Sequence, residues 1–232
     1  MRGFFILIAG LALVIEAGAQ TTFRQEFSAG ASFGMGVSSV SFVPKVQENQ
    51  LLGVHTGLTV RWLTETFAGL VLEINYSQEG WDEHFDDPAF QYTRRLNYVD
   101  IPFLAHFYFD LSKHVRFFVN AGPKIGFLLN ESTEKRIDDS ASPPIDEITG
   151  RPHTSEQWNK AVENKLAWGI CGGPGFELRT GIGCFQLEGR YYYSLGDIFS
   201  NRKADYFPKS STQVIFGKLT YLIPLKRKTP HK

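Results

Sequence analysis

Taken two residues at a time, this chain separates into a greasy side and a charged side. Leu70, Leu72, Ile74 and Tyr76 alternate with Gly69, Glu73 and Asn75, and Val99, Ile101, Phe103, Ala105, Phe107 and Phe109 stand opposite Asp100, His106 and Tyr108. Further on, Val115, Phe117, Val119, Ala121, Ile125 and Phe127 oppose Arg116, Asn120 and Lys124, and Phe185, Leu187, Tyr191 and Tyr193 oppose Gln186, Glu188 and Arg190. A period of two marks β-strands whose two faces meet different surroundings. The pattern predicts extended segments at 26–35, 50–62, 66–78, 92–109, 115–129, 165–179, 182–194 and 211–224. Most reach or exceed the ~9–11 residues that a tilted strand needs to cross a bilayer. Strands of soluble proteins are nearer ~5–6 residues.

The connections alternate too. Those at 63–65, 110–114 and 180–181 are tight, and those at 36–49, 79–91, 130–164 and 195–210 are long, so the two kinds fall on opposite ends of the strands. The expected architecture is all-β: an eight-stranded antiparallel transmembrane β-barrel with short periplasmic turns and long extracellular loops. Arg, Lys, Asp and Glu in mid-strand then face the lumen and the greasy side faces lipid. A soluble lipocalin-like barrel would invert this arrangement, and parity does not separate the two; strand length, loop asymmetry and aromatic placement favour the membrane. Trp62, Phe67 and Phe109 at one end, with Tyr76, Trp81, Tyr92, Phe127, Tyr193 and Phe199 at the other, read as two interfacial girdles. Pro102, Pro123 and Pro174 fall inside strands, where the missing N–H predicts bulges eased by Gly122 and Gly173. Residues 155–166 read either as a short helix or as an outward extension of the sixth strand.

The N-terminus reads as an export signal. Arg2 precedes the apolar stretch 4–15, and Ala17-Gly18-Ala19 supplies a cleavage site, giving a signal peptide over 1–19 and one barrel domain over 20–232. Beyond Gln20 no apolar run approaches the ~18 residues of a spanning helix. With 24 basic and 24 acidic side chains in balance, the composition does not suggest a strongly basic nucleic-acid binder.

Four stretches carry a family resemblance: Leu72-Glu73-Ile74-Asn75-Tyr76-Ser77-Gln78-Glu79-Gly80, Tyr98-Val99-Asp100-Ile101-Pro102-Phe103-Leu104, Ala121-Gly122-Pro123-Lys124-Ile125-Gly126-Phe127-Leu128-Leu129 and Leu187-Glu188-Gly189-Arg190-Tyr191-Tyr192-Tyr193-Ser194-Leu195-Gly196-Asp197-Ile198. In these the chain resembles the PorT-like outer-membrane β-barrel family, across most of the mature chain with the outer loops unmatched. The resemblance implies a fold and a membrane, not a reaction, and makes the mid-strand prolines a family habit. One member class is associated with secretion and gliding machinery; most members have no assigned role.

The chemistry-bearing groups are few. Glu73, Asp100, Lys124, Glu188 and Arg190 share the inward face, with Arg61, Arg116 and Lys218 as further members. An eight-stranded barrel encloses room only for its own side chains, so these charges are expected to neutralise one another structurally; a gated polar path is the other reading. Pairing symmetrically about 110–114 puts Asp100 opposite Lys124. Asp82, Glu83, His84, Asp86 and Asp87 form the densest acidic cluster, with the donors for a hard divalent cation but not the spacing of an EF-hand; a solvated loop touching cation-bridged lipopolysaccharide is the plainer reading. No G-x-S-x-G elbow occurs, the six His lack an obvious Ser partner, and no catalytic residue or cofactor is expected. With 180–181 as the turn, Cys171 falls opposite Arg190 and Cys184 opposite Glu177, too far apart for a disulfide. The function expected is a non-enzymatic outer-membrane barrel with a closed lumen, structural or partner-binding and open to a secretion link, the alternative being a small porin-like pore. Its surroundings are the bilayer and lipopolysaccharide, with an envelope protein as partner, no nucleic acid, and a monomeric state.

Overall fold

The alternating segments form one ring. The computed structural model describes residues 25–84, 90–137, 145, 150, 155–158, 160–200 and 206–227. The expected signal segment 1–19 therefore lies outside the described residues. The strands are β1 (Glu26–Val43), β2 (Leu51–Leu63), β3 (Ala68–His84), β4 (Phe90–Asp110), β5 (Val115–Ile137), β6 (Leu166–Arg179), β7 (Cys184–Ser194) and β8 (Lys209–Arg227). Each pairs antiparallel with the next, and β8 returns to β1 to close the barrel. Closure leaves no unpaired edge within the ring, the condition for β-structure in lipid.

The pleat puts the greasy side outward. Leu72 (43%), Ile101 (37%) and Phe103 (51%) remain exposed while Glu73 (1%), Asp100 (1%) and Lys124 (6%) are sealed within. In water such a surface would be prohibitive; against acyl chains it is the favourable side. Leu72→Arg is accordingly expected to destabilise folding into lipid vesicles by about 2–4 kcal/mol. A urea titration in which the variant matches the parent would remove the lipid-facing assignment.

Several sequence expectations need correction. β1, β3 and β5 run well past 35, 78 and 129, and β4 starts two residues before 92, so much of what reads as long loop at that end is strand that projects beyond the ring. Among the described residues of 155–165 there is neither helix nor strand: 155–158 make a turn, and β6 begins at Leu166. At Pro102, Pro123 and Pro174 the register is kept while pairs drop out, as between Ala105↔Ala121 and Pro102↔Lys124, and between Gly175↔Glu188 and Gly172↔Tyr191. The register shifts instead at Phe27/Ser28, opposite Pro224, and at Asn97/Tyr98. A strand whose neighbour on one side remains paired tolerates a missing donor without an extra residue.

Cys171 pairs with Tyr192 and Cys184 with Arg179, two residues away from the symmetric register. Both thiols are free and buried, with eight residues of β6 between their rows, about 26 Å at a strand rise of ~3.3 Å.

Candidate functional site

Inside the ring the inward side chains stack in layers. Nearest the tight turns, Arg61 is ion-paired with Glu177 and lies 3.2 Å from Glu26. Arg116 Nε reaches Asp110 at 2.8 Å and lies face-on to the Tyr108 ring, 3.9 Å from its centroid. Gln186 donates a further bond to Glu177 (2.7 Å). Leu63, Tyr108 and Phe118 pack as the apolar part of this layer.

The middle layer holds Glu73, Glu188, Arg190 and Lys218. Arg190 Nη1 and Nη2 bond both oxygens of Glu73 at 2.8 and 2.9 Å. Arg190 Nε and Nη2 meet the two oxygens of Glu188, each at 2.8 Å. Lys218 Nζ reaches Glu73 Oε1 at 2.5 Å, and Asn75 Nδ2 donates to Glu73 Oε2 at 2.9 Å. Two cations and two carboxylates cancel within one contact distance, which permits ions to stay where water does not reach.

Above it Lys124 Nζ bridges Asp100 (2.8 Å) and Glu79 (2.6 Å), and sits 3.5 Å from the Tyr192 ring centroid. The five residues singled out by parity thus divide into two groups: Lys218, named as a further member, joins one, and Glu79, which reads as loop in the sequence, joins the other. Asp100 lies opposite Gly126, not Lys124, a displacement of two that leaves both side chains on the inner face and within diagonal reach. The cavity beside Glu79, Lys124, His55 and Phe216 measures ≈ 10 Å³, space for about one water molecule.

The long-connection end is closed by a separate apolar core. Val40, Phe42, Trp81, Tyr92, Tyr98, Phe199 and Phe207 are buried together there with Val46, Leu96, Val162 and Ile198. Trp81 stands edge-on to Phe42 (5.3 Å between centroids) and to Phe199 (6.3 Å). The upper girdle expected from sequence is therefore only partly a girdle. Tyr76 and Phe127 face outward, whereas Trp81, Tyr92 and Phe199 are fully buried in this cap. The signal was present: Trp81 shares parity with Glu73, and Tyr92 with Asp100.

Of the acidic cluster, the side chains of Asp82 and Glu83 are described. These two lie at the end of β3 and point apart: Asp82 accepts from Thr93 Oγ1 on one face, and Glu83 turns into the cap. There Glu83 accepts from Trp81 Nε1 (2.7 Å), Trp158 Nε1 (2.7 Å) and Gln157 Nε2 (3.1 and 3.2 Å). The His84 side chain, Asp86 and Asp87 lie outside the described residues, among which no group of three or more His, Cys, Asp or Glu is placed to hold a metal. His106, one of the inward residues of β4, is buried with Nδ1 2.7 Å from Asn120 Oδ1.

The connection 44–50 folds back onto the cap. Both carboxyl oxygens of Glu48 receive the Val40 N–H (3.0 and 3.1 Å). Burial pushes the Glu48 carboxyl up to about 8, with the Glu83 charge adding to the effect and the Val40 N–H and Lys45 opposing it. A carboxyl held protonated by the fold stabilises it below the ordinary carboxylate range and loses that stabilisation as pH rises from about 4.5 to about 8. Hydrogen exchange of the amides at 40 and 46–49 is expected to accelerate across that window, and Glu48→Gln to flatten the profile. Identical profiles for parent and variant would discount the burial.

Comparison with known proteins agrees with this architecture. Residues 18–200 match the family described as "Outer membrane protein beta-barrel domain". Similar solved structures include Ail, the attachment invasion locus protein of Yersinia pestis, crystallised with the heparin analogue sucrose octasulfate (14% identity, 85% of this chain and 99% of that one, TM-score 0.41). OprG from Pseudomonas aeruginosa is similar at 12% identity (86% and 96%, TM-score 0.46), and the outer membrane enzyme PagL at 13% (84% and 99%, TM-score 0.46). Among curated proteins none matches the chain in sequence. The tight turns are thus periplasmic and the projecting strands extracellular. An eight-stranded barrel of the outer membrane, this chain belongs to the outer membrane protein β-barrel domain family.

Proposed function

We propose that the protein is a non-enzymatic, non-conducting scaffold of the outer membrane that meets a partner through its extracellular extension. The observation carrying this reading is the filled lumen. The layers around Arg61, Glu73 and Lys124, and the aromatic cap above them, take up the cross-section with neutralised ion pairs and packed rings. Purified protein refolded into planar bilayers is expected to give no stable unitary conductance. Reproducible unitary steps would overturn the reading in favour of the small porin-like pore.

The extension supplies the surface. β5 pairs with β4 out to Ile137, but its pairing with β6 stops at Phe127↔Leu166. Past Leu128, whose N–H donates to the Lys165 carbonyl, the second edge of β5 has no strand against it among the described residues. With no described strand against it, this edge, about 30 Å long at ~3.3 Å per residue, offers main-chain donors and acceptors to an extended segment of another protein. Bilayer and lipopolysaccharide surround the barrel, which acts as a monomer. The PorT-like placement rests on the four stretches quoted above, and with it a link to secretion or gliding machinery. Photo-crosslinking from Ser132 and Glu134 in intact outer membranes is expected to capture a protein; capture from Leu187, on the lipid face, with none from the edge would move the partner site elsewhere.

A further inference from the structure

Where β1 and β8 rise out of the apolar belt, their outward side chains change character in one step. Val37 lies opposite Ile215, and the next outward pair is Ser39 with Gln213. Above that level the connection 44–50 leans against β1, held by the Glu48–Val40 bonds and by the Asn49 N–H donated to the Asp82 carbonyl (2.7 Å). Between strand pair and connection lies a cleft of ≈ 440 Å³, in the size range of small-molecule sites, about 300–1,000 Å³.

Neutral polar side chains predominate in its lining, beside Lys45, Glu48 and apolar residues. Ser39, Ser41, Gln47, Asn49, Gln50 and Gln213 supply hydroxyls and carboxamides to the cleft, while the side chains of Val40 and Phe42 between them on β1 belong to the cap. A carboxamide presents a donor and an acceptor side by side, and a hydroxyl is both. Of the two charged residues in the lining, Glu48 is engaged with backbone and Lys45 is exposed to water, so the groups that converge on the cleft are chiefly neutral. Several of these groups are unspent. Gln213 Oε1 accepts from Tyr191 (3.1 Å), and its Nε2 donates to no group among the described residues. The side chains of Ser39, Ser41 and Gln50 make no hydrogen bond among the described residues. Neighbouring ring hydroxyls of a sugar, each donor and acceptor, match this lining better than any charged group does.

We propose that the cleft binds saccharide. It opens one residue pair above the lipid-facing belt, the height at which the outer leaflet presents its sugar headgroups. The same chemistry is available from the headgroup of a neighbouring glycolipid or from a free glycan, and the experiment separates them. Full-length protein is refolded into phosphatidylcholine nanodiscs, away from sugar detergents. One arm adds the core oligosaccharide freed from lipopolysaccharide by mild acid and reads saturation transfer to its ring protons. The other builds intact lipopolysaccharide into the discs and reads shifts of the Asn and Gln side-chain amides. Binding in the lipid arm alone identifies the membrane's own glycolipid as the source, and binding in the free arm identifies a soluble glycan; both support the cleft. Gln50→Ala, an exposed position, is expected to weaken binding about tenfold, the loss of one hydrogen bond, and Ser41→Trp to abolish it by filling the space. Correct folding of Ser41→Trp is verified by heat-modifiable gel mobility. No response in either arm, or a response that both variants leave unchanged, overturns the proposal. Neither result bears on conductance or on the β5 edge.

Discussion

Replacing Glu73 by leucine is expected to cost the folded barrel about 3–5 kcal/mol, the loss typical of a buried ion pair stripped of one partner. Glu73 accepts two bonds from Arg190 and one from Lys218, and all three side chains are about 1% exposed. A surface pair would contribute ~0–1 kcal/mol; here the two cations would face Glu188 alone, without water to screen them. The charge balance, more than any single bond, sets the effect. Glu73→Leu combined with Lys218→Leu leaves Arg190 bonded to Glu188, neutral again, and should recover most of the loss. Urea titration of folding into lipid vesicles, followed by tryptophan fluorescence and by gel mobility, measures both. A single variant within about 1 kcal/mol of the parent, or a double variant worse than the sum of its parts, would show that the quartet is not held by mutual neutralisation.

The inward face was legible because its period is two and its contrast is high: lipid on one side and ions on the other leave few positions ambiguous. The register was less so. Symmetric hairpins put Asp100 opposite Lys124 and Cys171 opposite Arg190, whereas the strands pair Asp100 with Gly126 and Cys171 with Tyr192. A slip of one residue would have turned every side chain over and been visible in the pattern. A slip of two keeps each residue on its face and is silent. Long side chains forgive it, and Lys124 still meets Asp100 at 2.8 Å. What the reading lost lies above the belt. There the outer face of a strand no longer meets lipid, so Glu79, Trp81 and Glu83 sit on a strand whose alternation has faded and read as loop. Yet all three share the parity of Glu73 and point inward. Extending the period past the last greasy residue would have found Glu79, the second partner of Lys124. Gln157 and Phe199 had no comparable signal, since they reach the cap from connections that have no period.

Trp81→Ala should separate the two halves of the molecule. The indole is fully buried, packed against Phe42, Tyr92 and Phe199, and its Nε1 donates to Glu83 at 2.7 Å. Removing it opens a cavity and leaves Glu83 with one donor fewer, about 3–5 kcal/mol for a buried Trp→Ala change. The cap and the ionic layers are different clusters, the first built from the projecting strands and connections, the second within the ring. The loss is therefore expected to fall on the extension. Hydrogen exchange at 78–83 and 90–96 should accelerate strongly while amides at 69–75 and 100–108 stay protected, and the variant should keep its heat-modifiable mobility and its place in the membrane. If the extension is the partner-binding face, crosslinking from Ser132 should fall with it, although Trp81 is buried and the ring is intact. Uniform acceleration across β3 and β4 would mean that cap and ring unfold as one, and the extracellular extension could then not be regarded as a separate module.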